Sequence, residues 1–199
     1  MGSMFIDTIP EEAAEGALAE FYQQQKGAWG FLPNFAEVFS TRPDVAKAWA
    51  NLNKTVRDGM DRRRFEIATI AAARALHSTY CTAAHSKFLR DECHDEAAMT
   101  AIAQDPSGAG LAEQDRAVYE FAARVARDAS SVEQSHVDAL HEVGLTDADV
   151  ADVVFAAAAR SFFTRALDGL GARLDVQTAA TFAPDILESM VVGRPVAEA

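Results

Sequence analysis

The sequence predicts an all-α protein, and three features of the text carry that prediction. Apolar residues recur at helical spacing along nearly the whole chain, those stretches are bracketed by capping and breaking residues, and no segment sustains the alternation of a strand. Pro10, followed by Glu11 and Glu12, opens a first helix through about Gln25, with acids where the helix dipole favours them. Residues 27–35, GAWGFLPNF, read as a loop with aromatic anchors. Pro43 starts a helix that ends at Gly59, and Asp61 can cap the next, residues 62–76. Ser78 then reads as the N-cap of a helix from Thr79 to about Arg90. A short helix follows over 94–104, and DPSGAG, residues 105–110, is the clearest break and reads as a mobile loop. Helices resume over 112–128, from SVEQ to Gly144, and from Thr146 through Leu174. Both SVEQ and TDAD have the spacing of a capping box.

Length and composition bound the function. The 199 residues are 49% hydrophobic, enough for one sizeable core, so residues 1–199 are read as a single domain. Its parts are a motif core over 62–92, the loop 105–110 and C-terminal helices over 112–175. A net charge of -12 with dispersed Lys and Arg argues against a nucleic-acid partner. No apolar run approaches the roughly 18 residues of a membrane span. Two cysteines make no disulfide framework, and the plain expectation is a cytoplasmic protein with reduced thiols. No glycine-rich phosphate loop or flavin fingerprint appears, so no cofactor is expected.

The chemistry concentrates in HSTYCTAAH, residues 77–85. With Ser78 as N-cap, Cys81 falls at the third helical position, where unpaired N–H groups and the dipole favour an anion. His85, one turn on, can hold or accept the thiol proton. A buried, inert cysteine fits the same text. A metal is not expected, because His77 and His85 would lie about 12 Å apart along the helix, leaving at most two ligands. Glu66 is the one acid inside the apolar run FEIATIAAA. On one unbroken helix it would lie about 22 Å from Cys81, but a break near 75–79 would fold it onto His85 and create a carboxylate–imidazole–thiol relay. Alone, Glu66 reads more readily as a surface partner for Arg62, Arg63 or Arg74. The expectation for Cys81 is a depressed thiol pKa to which His85 contributes.

The spacing E-x11-S-x2-C-x3-H, from Glu66 to His85, resembles the E-x11-C-x2-C-x3-H signature of the AhpD-like branch of the carboxymuconolactone decarboxylase superfamily. Residues 30–52, from GFLPNF onward, and the text from Leu145 to Asp175 resemble the peroxidase-related members of that branch, so the likeness covers most of residues 5–175. It implies a compact AhpD-like helical array, homo-oligomeric assembly and thiol-dependent reduction of a small hydroperoxide. It places the peroxide-attacking thiol on Cys81 and the proton relay on Glu66 and His85. The sequence departs from the signature at Ser78, where the family has the resolving cysteine. Cys93 lies about 18 Å from Cys81 on a continuous helix, too far for a disulfide. The cycle would therefore need an external thiol or thiol-protein reductant, with the Ser78 hydroxyl available to a Cys81 thiolate or sulfenate. Two other readings stand beside this one: a cofactor-free decarboxylase or isomerase using His85 and Glu66, and a non-catalytic oligomeric binding module.

Overall fold

The computed structural model describes residues 4–198, and among these it contains eleven α-helices and no strand. They are α1 (Gly16–Trp29), α2 (Asn34–Val38), α3 (Pro43–Asp58), α4 (Arg62–Ala75), α5 (Thr79–Asp91) and α6 (Glu96–Gln104). After the 105–112 loop come α7 (Glu113–Asp128), α8 (Gln134–Glu142), α9 (Asp147–Leu170), α10 (Val176–Ala179) and α11 (Pro184–Met190). No helix is long and apolar enough to cross a membrane.

Helix α4 is the axis of the array. Every residue from Phe65 to Ala73 is buried, and α4 packs against α5, α7 and α9. Alanine makes this possible: Ala68, Ala71, Ala72 and Ala73 carry so little bulk that neighbouring axes can approach on several sides at once. Phe65, Ile67 and Ile70 then fill the space between them, each contributing about 1.5–3 kcal/mol by burial. A larger side chain at Ala72 would have no room and would cost about 1–3 kcal/mol in overpacking.

The break expected between 75 and 79 is present. Ser78 N–H donates to Ala73 O at 2.9 Å and His77 N–H to Arg74 O at 3.0 Å, the paired bonds of a Schellman ending. His77 takes the left-handed position at φ 58°, where glycine is usual, at a cost of roughly 1–2 kcal/mol. The C-terminal segment crosses this corner. Gly193 N–H donates to Thr79 Oγ1 at 3.0 Å, and a Cβ on Gly193 would stand 1.8 Å from the His77 carbonyl oxygen. Only glycine allows that approach.

Several expected boundaries shift. The first helix is a short 3-10 turn, Glu11–Ala13, then α1, separated at Gly16 with φ 53°. Helix α1 runs on to Trp29, into text read as loop, and α2 forms after Pro33. Asp61 and the Thr146–Asp149 box cap as expected. The SVEQ box does not form: Glu133 caps α8 in partnership with His136, and Ser131 lies in a preceding 3-10 turn capped by Asp128. The 105–110 loop is held to α7, since Tyr119 OH donates to Pro106 O at 3.2 Å and Gly108 sits against the Tyr119 ring.

Candidate active site

The corner between α4 and α5 turns Glu66 toward His85. Glu66 is fully buried in the central helix, and a carboxylate there must be paired. His85 Nδ1–H donates to Glu66 Oε2 at 2.5 Å, and Arg62 Nε stands 2.8 Å from the other oxygen. Because an ionised carboxylate only accepts, the imidazole is fixed with its proton on Nδ1 and its Nε2 lone pair free. The surface pairing of Glu66 does not hold; Arg62 reaches inward to it instead.

Cys81 is at the third position of α5, as expected, and it is 1% exposed. Burial pushes its thiol above the ordinary cysteine value, and Arg160 and Ser78 oppose this only in part. The expected depression of the thiol pKa is therefore corrected. So is the part assigned to His85: burial first, and the Arg160 guanidinium second, hold its imidazole down to about 4, so it is neutral near pH 7 and is no counter-ion. The counter-ion is Arg160, whose Nη1 lies 3.6 Å from Cys81 Sγ.

Sequence reasoning missed Arg160. It is 2% exposed, meets no carboxylate, and donates through Nη2 to Asn53 Oδ1 at 3.3 Å. Its guanidinium lies 5.2 Å from the Trp49 ring centroid and 5.4 Å from that of Phe163, which themselves stack at 3.8 Å. These contacts hold the charge in place without neutralising it. The signal was available: Arg160 interrupts an apolar run, AAAA before it and SFF after, as Glu66 does in α4.

Ser78 occupies the N-cap position, but its buried hydroxyl makes no capping bond. It lies close enough to the Cys81 thiol and the Asp168 carboxyl to favour the charged form of each. Tyr80 OH donates to Asp175, which also accepts from Asn34 N–H at 2.7 Å, tying α5 to α2 and to the loop before α10.

Cys81, His85 and Arg160 open onto one cavity of about 260 Å³, walled by the aromatic rings of Trp29, Phe35, Trp49, Tyr80, Phe88 and Phe163. Trp29 and Phe35, read from the sequence as aromatic anchors of a loop, are part of that lining. Cys93 lies away from this cavity as a half-buried free thiol, its pKa raised by burial more than by the neighbouring acids. Among the described residues no three His, Cys, Asp or Glu side chains converge to hold a metal.

Residues 43–105, which span α3 to α6 and contain Glu66, Cys81 and His85, match the family model of the carboxymuconolactone decarboxylase family. That stretch, about a third of the chain, is similar to the carboxymuconolactone decarboxylase family. None of the curated proteins matches it significantly. Among solved structures of the AhpD-like fold, it is similar to an AhpD-core, peroxidase-related protein from Ralstonia eutropha JMP134. That match has 21% identity and a TM-score of 0.76, covering 96% of this chain and 98% of the other. It is also similar to the debrominase Bmp8 in complex with 2,3,4-tribromopyrrole, with 16% identity, a TM-score of 0.75 and coverage of 94% and 100%. A protein of unknown function from Agrobacterium tumefaciens, described as a putative antioxidant defence protein AhpD, matches at 18% identity and TM-score 0.61. It covers 68% of this chain and 94% of its own. At these identities the likenesses establish a shared AhpD-like architecture, which is the fold class expected from the sequence.

Proposed function

We propose that the protein is a thiol-dependent hydroperoxide reductase of one-cysteine type, with Cys81 as nucleophile and Glu66 and His85 as its proton relay. The observation that supports this most is the buried Arg160, which meets the Cys81 sulfur and has no carboxylate of its own. A guanidinium in that position favours the thiolate and, after oxidation, the sulfenate.

The steps balance. His85 Nε2 accepts the Cys81 proton while Nδ1–H remains on Glu66, and the thiolate attacks the terminal peroxide oxygen. The O–O bond breaks, sulfur is oxidised to the sulfenic acid, and the imidazolium returns its proton to the departing alkoxide, releasing an alcohol. One external thiol then displaces water to give a mixed disulfide, and a second releases Cys81 and carries away the oxidising equivalents as a disulfide. Ser78 in place of a local resolving cysteine is what makes the external thiol necessary. The aromatic walls favour an apolar hydroperoxide.

The test is intact-mass analysis after one equivalent of cumene hydroperoxide. One oxygen atom gained on Cys81 and none on Cys93 is the expected result, with Glu66→Gln and His85→Gln slowing the gain by about 10²–10⁴-fold. An unchanged mass overturns the proposal. One observation favours a second reading. The thiol is protonated at rest and His85 is a neutral, carboxylate-oriented base, which also suits a cofactor-free decarboxylase or isomerase whose activity survives alkylation of Cys81.

A further inference from the structure

A second cavity has no part in this chemistry. It is a groove of about 790 Å³ between α4, α7 and α8, and it shares no lining residue with the Cys81 cavity. Its charge is unusual for this chain. Arg74, Arg124 and Arg127 line it, with His77 and His136, against the single carboxylate of Glu120.

Eight of the chain's fourteen arginines pair with a carboxylate, as an acid-rich protein of net charge -12 would lead one to expect. Arg74, Arg124 and Arg127 are among the six that meet no carboxylate among the described residues, and all three line one groove. Arg74 Nη1 is buried and has no hydrogen-bond partner at all. A buried charged donor left in that state is costly, and an anion in the groove would relieve it. Tyr119 lines the same groove as Arg74 and Arg127. His136 accepts Glu133 N–H at Nδ1, which leaves Nε2–H as a further donor. Between these polar groups the floor is apolar, formed by Ala71, Phe121 and Leu140. A groove of this size suits a small molecule.

We infer that this groove binds a small molecule bearing an oxyanion, phosphate or carboxylate, on an apolar body. The guanidiniums hold the anion, and the floor between α4 and α7 takes the apolar part.

Isothermal titration calorimetry of the full chain with phenyl phosphate, benzoate and inorganic phosphate tests this. At least one of the two aromatic anions should bind at one saturable site, at least about tenfold more tightly than inorganic phosphate; which of them does so identifies the oxyanion. Arg124→Gln with Arg127→Gln should weaken it by a further factor of about ten or more, and Glu120→Gln should tighten it. Glu120 is exposed, so that variant carries the prediction even if the double variant misfolds, which a ligand-free melt reveals. Protein alkylated at Cys81 should bind equally well, which separates this site from the proposed catalytic one. Absence of saturable heat at millimolar concentration, equal affinity in both arginine variants, or loss of binding on Cys81 alkylation overturns the inference. So does self-association in light scattering on removal of the anion, which would assign the groove to a second copy.

Discussion

The substitution Arg160→Met separates the two candidate sources of thiol activation. The guanidinium lies 3.6 Å from Cys81 Sγ, and a hydrogen bond to a charged group contributes about 1.5–3 kcal/mol. At about 1.4 kcal/mol per pKa unit, its loss should raise the Cys81 midpoint by about one to two units. Methionine occupies similar space and brings no charge into the buried site. Arg160 has no carboxylate partner to strand, so beyond the Cys81 contact the substitution forfeits the hydrogen bond to Asn53 Oδ1 and cation–π contacts of about 0.5–2 kcal/mol with Trp49 and Phe163. The fold should survive.

The assay is iodoacetamide alkylation against pH in a Cys93→Ser background, followed by mass. Below the midpoint, Arg160→Met should slow alkylation about 10–100-fold at fixed pH, in proportion to the lost thiolate. His85→Gln should move the midpoint far less, because the imidazole is already neutral. If Arg160→Met leaves the midpoint in place, or if His85→Gln shifts it as much, the charge assignment is wrong.

His85 also gives the protein an acid sensitivity. Its folded pKa, about 4, lies below the unfolded value near 6.5, so the unfolded chain takes up a proton that the folded chain refuses. Above pH 6.5 this has no effect; between 6.5 and 4 stability falls progressively, by about 3 kcal/mol, and urea melts of His85→Gln should show a shallower decline. Gly193→Ala should force the C-terminal segment off the α4–α5 corner and cost about 1–3 kcal/mol, read as a drop in Tm of about 2–4 °C per kcal/mol; an unchanged melt would refute the close approach. Homo-oligomeric assembly is proposed on the exposed Leu52, Phe155 and Phe162 of α3 and α9, and light scattering should give a mass above the 21.4 kDa of one chain; a monomer at micromolar concentration would refute it.

The legible part of the site was local. The Ser78 cap and the turn at Leu76–His77 mark a helix boundary, and helix geometry alone says that Glu66 meets His85 only if that boundary exists. The partner of Arg160 was illegible for the opposite reason, although the residue itself stands out in an apolar run. Arg160 reaches Cys81 from 79 residues away, and nothing in the spacing says which face of α9 packs on α3. The depth of burial was equally hidden. Dipole and neighbour effects can be read from positions in a helix, but desolvation depends on what closes over the helix, here α3, α9 and their stacked Trp49 and Phe163. That is why the Cys81 shift came out opposite to expectation and His85, held neutral, does not contribute to it as expected. The final residues show the same limit: Pro184 and Asp185 announce α11, yet the passage of Gly193 over His77 exists only in three dimensions.

A raised thiol pKa and a lowered imidazole pKa suit the proposed cycle better than a resting ion pair would. At neutral pH the site holds a thiol and a neutral imidazole, so neither group needs a buried counter-charge. Moving one proton from Cys81 to His85 creates two charges, and each has a partner already in place: the thiolate meets Arg160 and the imidazolium meets Glu66. The desolvation that penalises both charged forms also strengthens these two attractions once they form. Ionisation can therefore follow entry of a substrate, and the protonated thiol is protected from stray oxidants between turnovers. Such protection has particular value when Ser78 leaves the site without a local cysteine to rescue an oxidised Cys81.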